Sequence, residues 1–297
     1  MRLNIAHTAT GRLPNFLLIG AMKAGTTSLY HYLQAHPQIS MPHYKAPEFF
    51  VEESNWHRGI DWYRKQFASA GREVVAIGEA SNAYAKYPRF QGVPQRIATL
   101  IPEARLIYTV RDPIARIRSH YQTTAAQGTE RAPFKDVVFE NPIYLDYSRY
   151  ALQIEQYLEY FPREQLFIIT AEDLRDARQA TIQKVYKFLE VDADFVPKEL
   201  DREFYQTKEH AVRSPIPLWL RKSLKKYFPA SKRFKELENN LFRALHQLRR
   251  RTKDGPHRAK SFTISEEIRE RLVRQLEDDV RRLRAYIGPD FDGWGIG

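Results

Sequence analysis

Gly20 and Gly25 bracket a lysine and precede two threonines in the stretch Gly20-Ala21-Met22-Lys23-Ala24-Gly25-Thr26-Thr27, which has the G-x-x-x-x-G spacing of a phosphate-binding loop. Each residue type has a use there. Glycine allows a tight turn and close approach of backbone to ligand, and a helix N-terminus aims unpaired N–H groups at an anion. Threonine hydroxyls add donors, and a lysine inside the loop can reach the bridging oxygen of an anhydride. A nucleotide triphosphatase loop would continue Gly-Lys-Ser/Thr, whereas here Thr26 follows the second glycine, so the pattern for a Mg²⁺-triphosphate site is incomplete. A glycine turn between strand and helix is more often structural than chemical. Lys23 with the paired threonines tips the reading toward anion binding.

A second constellation lies in residues 105–121, RLIYTVRDPIARIRSHY. An apolar strand ends at Arg111, and Asp-Pro opens a helix that carries Arg116, Arg118 and Ser119, with Pro113 at an early helical position where its missing N–H costs nothing. Arg111 at the carboxyl end of a strand and Ser119 about two turns into the helix can face one crevice, the usual ligand position in an open α/β sheet. Taken alone, the segment reads as a surface helix laced with salt bridges.

The elements that would position these residues follow from periodicity. Short apolar runs at 15–20, 74–77, 106–110 and 166–169 read as strands. Helical spacing at 26–35, 113–126, 149–159 and 177–189 separates most of them. Such alternation predicts a doubly wound α/β fold, a P-loop-like parallel sheet flanked by helices. Beyond about residue 200 the strand signals stop, and two basic helical stretches, 216–250 and 265–287, are expected. The expected organisation is a flexible tail over 1–13 and a single domain over 14–297, within which about 200–264 is a variable, basic, mostly helical region.

Absence of cysteine excludes disulfides and thiolate metal sites. No H-E-x-x-H, EF-hand loop or Cys/His cluster is present. The first residues lack the charged and apolar regions of a signal peptide, and no apolar run is long enough to span a bilayer, so the cytoplasm is the expected compartment. The formal charge of +11 attracts anions without naming one. Much of the excess is local: residues 221–260 hold fourteen Lys or Arg against Glu236, Glu238 and Asp254. Leu220, Leu224, Tyr227 and Phe228 fall on one helical side of 216–228, so this stretch either packs on its own domain or lies peripherally on an anionic membrane or glycan.

Together the two constellations resemble the PAPS-dependent sulfotransferases, especially bacterial proteins related to the heparan sulfate sulfotransferase group. Further likeness runs through KAPEFF at 45–50, IGEASNAY at 77–84 and IGPDFDGW at 287–294. The resemblance implies transfer of a sulfuryl group from 3′-phosphoadenosine-5′-phosphosulfate (PAPS) to a hydroxyl or amine, with release of PAP and no obligatory metal. It implies that Lys23, Ala24, Gly25, Thr26, Thr27 and Ser28 hold the 5′-phosphosulfate, and that Arg111 and Ser119 hold the 3′-phosphate, with Arg213 in HAVRSP the nearest candidate for a further 3′-phosphate contact. A glycan or glycolipid is the implied acceptor, and no nucleic acid is expected.

The chain departs from the family where a general base is needed. Many relatives carry Glu at the position of Ala46, so Glu48, two residues on, and Glu79, read as lying directly after a strand, are equal candidates, with His43 third. The alternatives to all three are bland: a solvated acid at 48, a buried hydrogen-bond anchor at 79, an exposed loop residue at 43. A P-loop kinase or triphosphatase and a basic nucleic-acid-binding protein are the rival functions.

Overall fold

The computed structural model of the chain describes residues 11–71, 73–201 and 263–296. Its centre is a parallel sheet built from β1 (Phe16–Gly20), β2 (Ile39–Ser40), β3 (Ala76–Ala80), β4 (Arg105–Val110) and β5 (Leu166–Thr170), in the order β2-β3-β1-β4-β5. Crossovers between parallel strands need helices, and the main ones are α1 (Thr26–Gln34), α2 (Gly59–Lys65), α3 (Val93–Leu100) and α4 (Pro113–Ala126). They are followed by α5 (Phe134–Glu140), α6 (Ile143–Asp146), α7 (Tyr150–Leu158), α8 (Ala171–Asp176), α9 (Arg178–Phe188) and α10 (Glu266–Ile287). The doubly wound α/β expectation holds.

β1 shows why the sheet is buried on both faces. Alternate residues of a strand point oppositely. Leu17 and Ile19 join one core with Leu106, Tyr108 and Val110 of β4, while Phe16 and Leu18 join another with Ile107, Leu29 and Leu33. All five residues of β1 are buried, so the sequence reads as a continuous apolar run.

After β1 the chain runs to β2 and β3 on one side. It then returns to lay β4 and β5 on the other. The strand order therefore reverses between β1 and β4, and their carboxyl ends carry Gly20 and Val110.

Two strand expectations need correction. The strand expected at 74–77 is Ala76–Ala80, so Glu79 lies inside it rather than after it. Gly78 and Glu79 are poor strand formers and hide the element from a hydropathy reading, yet each fits its place. A Cβ on residue 78 would sit 2.3 Å from the Phe16 ring, and the Glu79 carboxylate is met by three hydroxyls. The two-residue β2 gave no periodic signal.

The chain packs as two compact units. The first comprises Met1–His120, Pro133–Phe204 and Ile264–Gly297; it holds the sheet and α10, whose Leu272, Leu276, Val280 and Leu283 form a buried stripe. The second comprises Tyr121–Ala132 and Tyr205–Thr263. In its described part α4 ends and the chain turns, with the Gly128 amide bonded to Ala125 O at 3.0 Å and the Tyr121 hydroxyl to Ala132 O at 2.9 Å. Arg213 and the helix expected at 216–250 lie outside the described residues.

Candidate active site

The loop after β1 is tied to the end of β4. The Ala21 amide donates to Thr109 O at 2.7 Å and the Thr109 hydroxyl donates to Gly20 O at 2.8 Å. Gly20 has φ +156°, and a Cβ there would lie 3.0 Å from Ala85 and 3.1 Å from the Tyr108 ring, so a side chain has neither the conformation nor the space. Gly25 takes a left-handed φ of 85° to begin α1, and no side chain caps that helix end. The N-terminus of α1 is a setting that favours an anion, with Thr26 buried and Thr27 and Ser28 half-buried on its first turn. Ala24 is fully buried and fixes the loop in the core.

Lys23 also adopts a left-handed backbone, φ 73°. Its ammonium is held down to about pKa 8 by burial first, then by the positive charges of Arg111 and Arg116. Arg111 joins the two constellations directly: its guanidinium donates to Lys23 O at 3.2 Å, bridging eighty-eight residues of sequence. Asp112 starts α4 by accepting the Ile114 and Ala115 amides at 2.8 and 3.2 Å, which places Ser119 two turns on, 6% exposed.

Arg116, expected as part of a surface helix, is fully buried. Nε donates to the Ser148 hydroxyl at 2.6 Å and one terminal nitrogen to Tyr144 O at 2.8 Å, while the other terminal nitrogen has no hydrogen-bond partner. Burial, followed by the charges of Arg116, Lys86 and Lys23, holds His120 far below the usual imidazole range. The cations converge on this end of the sheet, which is an environment made for a polyanion.

The loop between β2 and α2 forms the other wall. Ala46 and Glu48 both take left-handed φ, 63° and 49°, and the end of β3 holds them there. The Ala46 amide donates to Ala80 O at 3.1 Å, the Glu48 amide to the Ser81 hydroxyl at 3.0 Å. Glu48 is half-buried and accepts from the Ser54 hydroxyl at 3.2 Å, with Lys86 close enough for its charge to feel the carboxylate.

Glu79 has no exposed surface. It accepts from Tyr63 at 2.9 Å, from Ser81 at 2.5 Å and from Tyr84. Burial raises its pKa to about 7 in spite of those three bonds, which pull the other way. His43 is exposed, its ring edge-on to Tyr44.

Three residues at this site carried no signal that sequence reasoning used. Arg116 and Lys86 look like ordinary surface cations, and Lys45 looks like a loop lysine. Yet Lys45 Nζ donates to the Thr26 and Thr27 hydroxyls at 3.2 and 2.9 Å. Its place in KAPEFF, one of the segments of family likeness, was the one available hint. Among the described residues no group of three or more His, Asp or Glu could hold a metal ion, and no helix is long and apolar enough to cross a membrane.

Residues 13–241 match the family model described as the sulfotransferase domain. The chain belongs to the sulfotransferase family. Human bifunctional heparan sulfate N-deacetylase/N-sulfotransferase 3 is 35% identical over 199 residues, which are 61% of this chain and 22% of the relative. The membrane-associated sulfotransferase kil1 of Dictyostelium discoideum is 40% identical over 111 residues, 37% of this chain and 22% of that protein. The matched stretch spans about a fifth of the length of these curated relatives. A sulfotransferase from Alicyclobacillus acidocaldarius, known as a crystal structure, superposes with a TM-score of 0.68 at 25% identity, covering 96% of this chain and 99% of that one. The family decides against the kinase reading that the incomplete P-loop had already weakened.

Proposed function

We propose that this sulfotransferase domain moves a sulfuryl group from PAPS to a hydroxyl or amine of a carbohydrate-type acceptor, a glycan or glycolipid, and releases PAP. One observation carries the donor: the Arg111 guanidinium on the Lys23 carbonyl, which brings two anion sites on different strands into one crevice. A nucleotide with phosphate at both the 5′ and 3′ positions needs two such sites at a fixed spacing. A triphosphate on a single loop does not.

In this reading the 5′-phosphosulfate lies on the 23–28 loop, where the uncapped α1 amides, the Thr26 and Thr27 hydroxyls and Lys23 meet its charge. Lys23 stabilises the charge that grows on the departing phosphate oxygen as the bond to sulfur breaks. Arg111 and Ser119 take the 3′-phosphate, and Arg213 remains a further candidate outside the described residues. The donor brings the activated sulfuryl group; the protein orients it and supplies positive charge, which requires no metal.

Glu48 is the residue we propose to take the acceptor's proton. It lies half-buried on the loop facing the cations, whereas Glu79 is sealed from any acceptor by Tyr63, Ser81 and Tyr84. Glu79 instead anchors the wall: Ser81 donates to it and accepts the Glu48 amide.

The likeness to heparan sulfate N-sulfotransferases and the basic 221–260 stretch both support an anionic glycan as acceptor. The test is incubation of the protein with isotope-labelled PAPS and a panel of glycans, glycolipids, phenols and small alcohols, followed by mass analysis. Label appearing on a glycan or glycolipid is expected. Transfer to phenols alone refutes the acceptor class, and no PAPS consumption with any acceptor, alongside no PAP binding, refutes the donor.

A further inference from the structure

Lys45 stands apart from the other cations of the site. It is contributed by the β2–α2 loop, eighteen and nineteen residues from the threonines it meets, and its Nζ lies over the Tyr30 ring, 6.0 Å from the ring centroid. Burial holds its ammonium down to about pKa 8, and no charged neighbour contributes to that shift. A half-buried cation without a carboxylate partner among the described residues is costly, and this one sits at the positive end of the α1 dipole, the wrong end of a helix for a cation. Such a placement is stabilised once an anion occupies the same spot.

The hydrogen bonds carry a second consequence. An ammonium has only hydrogens to give, so the Thr26 and Thr27 oxygens must accept from it. Each hydroxyl hydrogen is then directed away from Lys45 and is available to another acceptor. The loop is fixed against the sheet for this purpose: the Ala46 amide, next in sequence, is bonded to Ala80 O at 3.1 Å despite its left-handed φ. A strained backbone held this firmly beside a ligand loop is where pre-organisation is stored.

We infer that Lys45 is a positioning residue of the donor site, which fixes the Thr26 and Thr27 hydroxyls as hydrogen-bond donors toward the 5′-phosphate of the nucleotide and adds a second lysine charge beside Lys23. This rests on the donor reading above and assigns it a group from a different loop. It also gives the departure at Ala46 a context, since the stretch that lacks the family's carboxylate carries a cation for the donor immediately before it.

Calorimetric titration of the full chain tests this with three ligands: PAP, adenosine 5′-phosphate and adenosine 3′-phosphate. Lys45→Met, which keeps the stem and removes the charge, and Lys45→Ala should weaken PAP and adenosine 5′-phosphate by about 10- to 100-fold, the usual range for a charge-assisted contact. Adenosine 3′-phosphate should change by less than about twofold, because its phosphate lies at the other end. At about pH 8.5, where much of Lys45 is neutral in the free protein, wild type should take up protons on binding PAP, and the variants should take up fewer. Removal of a desolvated cation that no described carboxylate neutralises should leave the melting temperature of the ligand-free protein equal or higher, which separates loss of binding from loss of fold. Equal losses for all three ligands, no loss for PAP, or unchanged proton uptake would overturn the assignment. If wild type bound PAP and adenosine 5′-phosphate equally, the two-phosphate donor reading would fail while the Lys45 effect on both could still stand.

Discussion

At Lys23 the protein holds a positive charge in a place that disfavours it. Burial and two arginines lower its pKa to about 8, so at neutral pH it is mostly charged and ready to meet an anion. Lys23→Ala should lower kcat by roughly 10²- to 10³-fold, as loss of one donor to a developing oxyanion does, without lowering the melting temperature of the free protein. Near-normal turnover in that variant would remove Lys23 from the leaving-group role. The two glutamates separate by a different pair of readouts. Glu48→Gln should lower kcat by about 10²- to 10⁴-fold with PAP affinity unchanged. Glu79 acts on stability. Its folded pKa, about 7, lies above the ordinary carboxylate value of 4.5, so between these values the folded state keeps a proton that the unfolded chain has released. Its contribution is therefore full below about pH 4.5 and lost as pH rises through about 7. Melting temperatures of wild type and Glu79→Gln measured across that window should show the variant with the flatter pH dependence; parallel curves would mean that Glu79 does not titrate there.

At the scale of elements, function depends on β1, β4 and β3 ending at the same edge. β4 delivers Arg111 one residue after its last ladder position, and Asp112 caps α4 so that Ser119 follows two turns later. Arg111→Ala and Ser119→Ala should weaken PAP binding more than binding of adenosine 5′-phosphosulfate, since the lost partner is the 3′-phosphate. The Arg111 effect should be about 10- to 100-fold. Equal losses for the two ligands, measured by titration, would place these side chains elsewhere on the nucleotide. β3 has the less visible task. Through Ala80 O and the Ser81 hydroxyl it holds the strained 46–48 turn, which lies next to Lys45 and carries Glu48, the proposed base. In the proposed reading, one strand end therefore supports residues of both the donor and the acceptor sides.

For the molecule as a whole, the +11 charge attracts anions at long range. Long-range attraction between exposed charges is screened over about 10 Å at 0.1 M salt, while the close contacts inside the site are screened much less. Raising NaCl from about 50 to 300 mM should therefore raise KM for PAPS, and for an anionic acceptor, with kcat nearly constant. A fall in kcat of the same size as the rise in KM would locate the salt effect in the chemical step instead.

Local pattern determined much of this protein. The G-x-x-x-x-G turn, the RDP helix start and the apolar runs at 15–20, 106–110 and 166–169 each depend on residues adjacent in sequence, and the structure reproduces them to within a residue or two. Contacts between distant segments were decided only by the tertiary structure. Nothing near Lys45 says that it meets Thr27, because that meeting depends on how far the 41–50 loop folds back over α1. Glu79 could be read as base or anchor until Tyr63 and Tyr84, brought from either side of it in sequence, closed around its carboxylate. Arg116 could pass for a solvated surface residue until Ser148 and Tyr144 buried it. A side chain's identity fixes the hydrogen bonds and charge it can offer, whereas its role depends on which partners remove it from water, and those partners are chosen by the packing of the whole sheet.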